Sequence, residues 1–408
     1  MTTNSGAQRL TYIIHDLKLS RRTVLRGMAI GGAGLATAGF VACGDDDGAT
    51  TTPTTAGEGA TTTAGTGGTA PAATANTTFV GPFPAPHAGA YFTHYNAIAQ
   101  GFWEEEGLEV EMAYQTATVP LVAGGTVDYG EVSADELLNA FSAGQGVKAF
   151  YQPTYGQQFG FVVPTASPIT EWTAEQITGT TIGITELAGG EVPICRAALA
   201  EIGLSEGEDT TFFPTSGVNQ AVTVDAFNTG KIDIFAGSIL DHAAVQVSGL
   251  ELRSITPDFI LNASGDNAVG VRAEFLEGEE NRDQLVRFGR GMAKAKVWTF
   301  APTNFDTALD VALKIAPDTG PRDEVAKFVE ILHINRALAP AVSGIKEGEI
   351  WMKGWDDYQK LLLAGSTGSP DDPLTFTEPI DINEVADNSL VADIFDFDRE
   401  EIIARPAR

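Results

Sequence analysis

From Phe79 onward the apolar positions switch repeatedly between two periods, and each switch marks an element. Phe79 to Phe83 is a short apolar run that reads as a strand. Tyr91 to Glu106 has helical spacing with Gly101 near its end, and Leu108 to Met112 alternates as a strand again. Strand, helix, strand predicts a parallel pair. Further on, Ala149 to Tyr155 reads as a strand, and the spans 281–300, 304–315 and 323–337 read as helices.

One pattern recurs. Pro120 to Gly130 runs P-L-V-A-G-G-T-V-D-Y-G, and Asp225 to Gly237 runs D-A-F-N-T-G-K-I-D-I-F-A-G. Each copy is helical until a glycine (Gly125, Gly230), which tolerates the left-handed cap, and then reaches an Asp (Asp128, Asp233) and an apolar strand. Helix–Gly–strand junctions occur in many α/β proteins. Two matched copies in one chain predict two α/β lobes with a cleft between them.

The chain has 408 residues, enough for two or three domains, and carries 25 basic against 54 acidic side chains. Residues 1–42 hold five basic residues (Arg9, Lys18, Arg21, Arg22, Arg26) and one acidic (Asp16), leaving 20 against 53, a formal charge of −33. Such acidity argues against nucleic acid or an anionic membrane surface as partner.

Ser20 to Arg26 reads S-R-R-T-V-L-R, followed by a small-residue run that ends at Cys43. A basic segment before a short apolar one is a targeting signal, and Arg21-Arg22 resembles a twin-arginine export signal. Phe40-Val41-Ala42-Cys43 resembles a bacterial lipobox, in which Cys43 is lipidated, although Phe40 departs from the usual Leu. After it, Ala49 to Thr78 is almost wholly Thr, Ala, Gly and Pro, a composition expected to form a disordered tether. The expected product is an exported, lipid-anchored protein on the extracytoplasmic face of the cell membrane. Cys195 is the only other cysteine, and its surroundings P-I-C-R-A-A-L-A read as a buried helix face.

The stretch N-A-I-A-Q-G-F-W-E-E-E-G-L-E-V-E-M resembles the opening of bacterial ABC-importer solute-binding proteins, in the branch that includes alkanesulfonate, nitrate, thiamine-pyrimidine and riboflavin binders. Leu121 to Val147, Glu171 to Gly203, Val222 to Ser238, Trp351 to Leu363 and Ile382 to Asp398 continue the resemblance in order. It implies an α/β, two-lobed type 2 periplasmic-binding-protein fold with a hinge and an interlobe cleft. The implied organisation is a signal peptide at 1–42, a linker at 43–77, a first lobe at 78–160 and 262–399, and a second lobe at 161–261. It also implies a monomer that serves an ABC permease and ATPase and captures a small solute.

Ligands of open α/β sheets sit beyond the carboxyl ends of strands, where helix N-termini offer amides. Seven loops qualify: 83–95, 115–119, 132–135, 151–158, 186–192, 237–241 and 264–267. In these loops His87, Tyr91, Tyr151 and Tyr155 are the candidate stacking rings. Gln152 and Asn267 offer amide-type pairing. Gly189 and Gly190 allow close backbone approach, and Glu191 is either a ligand contact or a first-turn acid. Ser238 and Asp241 follow the second-lobe strand, where Asp241 either accepts from a ligand or caps a helix. None of the loops contains Lys or Arg, which favours a neutral or cationic ring, namely riboflavin or a thiamine pyrimidine precursor, over the alternative of an alkanesulfonate, taurine or nitrate.

An enzyme is the competing class. A related eukaryotic group builds the thiamine pyrimidine with a cysteine-rich iron-binding motif, and no such cluster occurs here. The five histidines (His15, His87, His94, His242, His333) lack metal-ligand spacing, and no G-x-S-x-G elbow is present. No catalytic residue, metal or cofactor is expected. A sensory lipoprotein is the third reading.

Overall fold

The computed structural model describes residues 75–81, 83–115, 117–187, 189–216, 220–337, 343–369 and 372–408. The export signal, the lipobox at Cys43 and the tether up to residue 74 lie outside the described residues. Strand β1 begins at Ala75, three residues inside the span expected as tether, because Ala75 to Thr77 pair with Leu108 to Val110.

Two separate five-stranded sheets form the body, in the orders β2-β1-β3-β10-β4 and β7-β6-β8-β5-β9. The first contains β1 (Ala75–Gly81), β2 (Leu108–Tyr114), β3 (Tyr129–Val132), β4 (Val147–Tyr151) and β10 (Ala268–Arg272). The second contains β5 (Phe159–Pro164), β6 (Thr181–Ile184), β7 (Thr211–Pro214), β8 (Ile234–Ser238) and β9 (Leu252–Ser254). In the first, β1 pairs parallel with β2 and β3, and β10 runs antiparallel between β3 and β4. In the second, β6 pairs parallel with β7 and β8, and β5 runs antiparallel between β8 and β9. Strand for strand, the two lobes share one topology.

The helices of eight residues or more are α1 (Phe92–Ala99), α2 (Ala134–Ser142), α3 (Glu191–Glu201), α4 (Gln220–Asn228), α5 (Ile239–Val247), α6 (Glu279–Thr299), α7 (Phe305–Ile315), α8 (Arg322–Leu332) and α9 (Met352–Gly365). The helical span expected over 91–106 is broken in two at Gly101, whose φ of 71° lies in the left-handed region. Among the described residues no helix is long and apolar enough to cross a membrane.

The recurring pattern falls at equivalent places in the two sheets. Gly125 and Gly230 have φ of 67° and 66°, the conformation that ends a helix most cheaply at glycine. Asp128 Oδ2 then accepts from Thr78 N at 2.8 Å, Thr77 Oγ1 at 3.0 Å and Thr78 Oγ1 at 3.2 Å. Asp233 Oδ2 likewise accepts from Thr181 N at 2.8 Å. Each Asp therefore pins the strand beside its own, β1 at its middle in one sheet and β6 at its start in the other.

Around the first sheet an aromatic core packs α1 and α6 together. Tyr129 and Phe288 stack with ring centroids 3.8 Å apart, and Trp103 donates its indole N–H to Phe288 O at 2.9 Å. Burial of such rings contributes about 1.5–3 kcal/mol each. A second apolar cluster carries residues of both lobes, from Val132 and Leu137 through Ile182 and Val192 to Trp355 and Tyr358 of α9. A third, smaller one lies under α4 and α5.

Candidate functional site

The carboxyl ends of β3, β6 and β8 lead into helix N-termini, and those of α2 and α3 approach each other. After β3, Ser133 caps α2 and forms a reciprocal box with Glu136, whose carboxylate accepts from Ser133 N at 2.9 Å. After β8, Ser238 caps α5 in the same way with Asp241, which accepts from Ser238 N at 2.9 Å and Ser238 Oγ at 2.6 Å. Asp128, Ser133 and Glu136 thus stand in the same register as Asp233, Ser238 and Asp241. The recurrence read from the sequence extends one turn further than the strand, into the caps, and S-A-D-E beside S-I-L-D is the signal that carries it.

After β6, Gly190 is the N-cap of α3, and Glu191 occupies its first turn. Glu191 is buried and folds back to accept from Thr185 N at 2.6 Å and Thr185 Oγ1 at 2.5 Å. Gly190 is where the two lobes approach: a Cβ placed there would lie 2.8 Å from Phe159 Cζ and 3.5 Å from Asp135 Oδ2 of α2. Gly189 is equally tight, since its Cβ would meet the Glu191 carboxylate.

On the first-lobe side, Asn267 donates Nδ2 to Glu131 Oε1 at 3.2 Å. Asp266 is completely buried, accepts from Asn267 N at 2.7 Å and pairs with Arg336. Tyr91 is buried with its hydroxyl donated to Phe83 O at 2.5 Å, and the negative charge of Glu131 is felt at this phenol. His87 accepts at Nδ1 from Gly89 N and Ala90 N, which shapes the turn into α1, and its ring rests against Phe83 and Phe328.

The remaining sequence candidates point to a different partner, the segment before α9. Tyr155 donates its hydroxyl to Glu349 O at 3.0 Å and accepts from Gly348 N at 2.7 Å, so its polar tip is taken up by backbone. Gln152 Oε1 accepts from Trp351 N at 3.1 Å, while its Nε2 meets no acceptor. Tyr151 is wholly buried beside Phe395, with an unpartnered hydroxyl. His94 and Cys195 are interior groups; burial holds the histidine neutral and pushes the thiol up.

The groups the sequence reading passed over are mostly acidic. Glu131, Asp135, Glu136 and Asp266 stand at the first-lobe edge, and Tyr358 of α9 reaches Asp135 Oδ1 at 3.4 Å. Desolvation, with Asp266 adding to it, pushes Glu131 up to about 7. Desolvation and then the neighbouring Asp135 push Glu136 up to about 7. Burial also raises Asp135, Glu191, Asp241 and Asp266. Among the described residues no three His, Cys, Asp or Glu side chains converge in a way that could hold a metal ion.

The comparisons with known proteins follow this geometry. Among solved structures, the periplasmic aliphatic sulphonate binding protein SsuA of Escherichia coli is similar with a TM-score of 0.54 at 14% identity, over 76% of this chain and 91% of that one. The periplasmic nitrate-binding protein NrtA of Synechocystis PCC 6803 is similar with a TM-score of 0.52 at 13% identity, over 83% and 93%. The desulfurization enzyme DSZB is similar with a TM-score of 0.51 at 14% identity, over 78% and 98%. At these identities the likeness shows the fold, a two-lobed periplasmic-binding-protein architecture shared by binders and an enzyme. No curated protein sequence matches the chain. The sequence profile described as NMT1/THI5 like matches residues 88–302, and the chain belongs to that family.

Proposed function

We propose that this protein is the exported, lipid-anchored solute-binding component of an ABC importer, held to the membrane through Cys43 and delivering its solute to a permease. One observation carries the reading: helix N-termini from two matched lobes confront each other, with Gly190 of one against Asp135 of the other. A solute held there gains contacts from both lobes, so binding and closure are coupled. The chain passes between the sheets at residues 152–158 and 255–267, the segments on which such a closure would turn.

The solute class favoured is a small heteroaromatic nutrient, riboflavin or a thiamine pyrimidine precursor. Carboxylates and carbonyl-type acceptors dominate the facing edges, and Arg336 is already paired with Asp266. An alkanesulfonate or nitrate would bring acceptors to acceptors. The enzyme reading draws no support from the site, because Cys195 is buried and its thiol is held protonated.

A thermal-shift and calorimetric screen of the full chain tests the proposal, using riboflavin, thiamine, its pyrimidine alcohol, taurine, ethanesulfonate and nitrate. Selective stabilisation by a ring compound supports it, since a ligand at about 100 times its Kd adds about 2.7 kcal/mol to the native state. Turnover of any of these compounds would replace transport by catalysis.

A further inference from the structure

The lobes meet along two seams that are built differently. At the first, α9 lies on α3 of the second lobe with backbone against backbone: a Cβ at Gly365 would lie 1.7 Å from Pro193 O and 3.0 Å from Ala197 N. Trp355, Tyr358 and Leu362 of α9 are fully buried and share one apolar cluster with Ile194 of α3 and Leu137 of α2. Gln359, also fully buried, exchanges two 2.8 Å hydrogen bonds with the backbone of Ile380. The chain leading to Ile380 is in turn tied to α2, since Thr375 N donates to Asn139 Oδ1 at 2.8 Å and Ser142 Oγ donates to Thr375 O at 3.0 Å. From α3 through α9 to α2, this seam is one continuous packed structure.

The second seam runs between α5 of the second lobe and α8 of the first. Among the described residues no apolar cluster spans it: Val245 of α5 belongs to the small second-lobe cluster, while Val325 and Val329 of α8 belong to the first-lobe core. A single side-chain hydrogen bond crosses it among those residues, from Lys327 Nζ to Gln246 O in the last turn of α5, at 3.3 Å. The lysine meets the negative end of the helix dipole, and because Lys327 is only half-buried, solvent screens the contact.

Both helices spring from the crossovers between the lobes. Ile239 N, at the start of α5, donates to Gln158 O at 2.8 Å, and Tyr155 N donates to Arg336 O, just beyond the end of α8, at 2.8 Å. Ser264 Oγ donates to Gly156 O at 2.5 Å and accepts from Gly156 N at 3.2 Å, which fastens the two crossovers to each other. Helices α5 and α8 are thus two arms joined at a pinned pivot, with Lys327 and Gln246 meeting well out along them. Each arm also carries part of the candidate site: α5 begins at Ser238 and Asp241, while α8 holds the 87–90 turn through His333 Nε2, 2.8 Å from Gly89 O, and through Phe328 under the His87 ring.

We propose that the α5–α8 seam is the moving mouth of the cleft and that Lys327 is its latch, whereas α9 holds the other seam shut throughout. The inference rests on the solute-binding reading and specifies its motion. The arms part about the pinned crossovers, and the solute enters between α5 and α8, past the 87–90 turn. A seam without shared core opens at lower cost than one packed through α9, so the motion falls on the former.

The test uses the full chain carrying Cys43→Ser, so that only introduced thiols react while buried Cys195 stays unlabelled. Spin labels at Glu324→Cys with Ser248→Cys report the α5–α8 seam, and labels at Ala143→Cys with Ala200→Cys report the seam held by α9; all four positions are exposed. Without any solute, double electron–electron resonance is expected to show a second, longer distance at the first pair and one narrow distance at the second. Lys327→Met keeps the aliphatic stem and removes the charge. It is expected to raise the ratio of the longer to the shorter distance about two- to fivefold and to leave the second pair unchanged. Multiple distances at the second pair, or a Lys327→Met profile equal to that of the parent, overturn the inference and leave the solute-binding reading standing. A single narrow distance at both pairs means that the lobes do not part, and overturns both.

Discussion

The hydroxyl of Tyr358 donates to Asp135 Oδ1 across 3.4 Å, so α9 is tied to the first turn of α2. The same helix is pressed onto its other neighbours with no space to spare. A Cβ at Gly265 would lie 2.2 Å from the Tyr358 ring, and one at Gly365 would lie 1.7 Å from Pro193 O of α3. Helix α9 therefore closes the junction from one side, touching an element of each lobe.

This predicts that Gly365→Ala costs about 3 kcal/mol in urea unfolding, because its new methyl collides with backbone that cannot rotate away. Gly368→Ala, at φ 63° with open space around it, is expected to cost only about 1 kcal/mol. Equal losses at the two positions would show that α9 does not depend on its fit against Pro193.

At the approach of the lobes, Gly190 has φ −61° and ψ −21°, a conformation any residue accepts. At an N-cap glycine is already preferred to Ala, and Gly190→Ala is expected to destabilise by about 1–2 kcal/mol, chiefly because its methyl meets Phe159. The loss should largely vanish in a Phe159→Leu background, giving a coupling of at least about 1 kcal/mol in the double-mutant cycle. Additive effects would place the collision elsewhere.

The twin aspartates make a ranked prediction. Asp128 Oδ2 holds three donors in a partly buried place, whereas Asp233 Oδ2 holds one and is exposed. Asp128→Ala is expected to cost about 2–3 kcal/mol and Asp233→Ala about 1 kcal/mol, measured by chemical denaturation. A reversed order would sever the link between the repeated pattern and strand anchoring.

His94 gives a pH dependence with a definite sign. Burial, and secondarily His333, lowers it from 6.5 to about 3; it stacks on Phe79 at 4.6 Å, and neither ring nitrogen has a partner. The unfolded chain takes up a proton below about pH 6.5 that the folded chain refuses until about pH 3. The stability associated with neutral His94 is therefore full above pH 6.5 and declines as pH falls through that window, by at most about 1.4 kcal/mol per pH unit. His94→Phe keeps the ring and removes the proton site. Its Tm advantage over the parent should be larger at pH 5 than at pH 8, and a pH-independent difference would contradict the assignment.

What the sequence determined by itself was whatever is local. The repeated helix–Gly–Asp–strand pattern needs only a left-handed glycine and a short acidic side chain within one turn of it, so Gly125 with Asp128 and Gly230 with Asp233 could be read directly, and with them two α/β lobes. The buried helix face around Cys195 was legible for the same reason, since helical spacing alone marks it. The junction was decided by tertiary structure. Glu131, Asp135, Glu191 and Asp266 lie on different elements, and each looks like an ordinary surface acid or helix-cap acid in its own neighbourhood. Tyr151, Gln152 and Tyr155 looked like ligand contacts because no local rule shows that the chain from Lys346 to Trp351 returns to take up Gln152 Oε1 and the Tyr155 hydroxyl. Desolvation and like-charge proximity are properties of the packed ensemble of elements. Only the folding of the two sheets against α9 brings those carboxyls close enough to share one electrostatic environment.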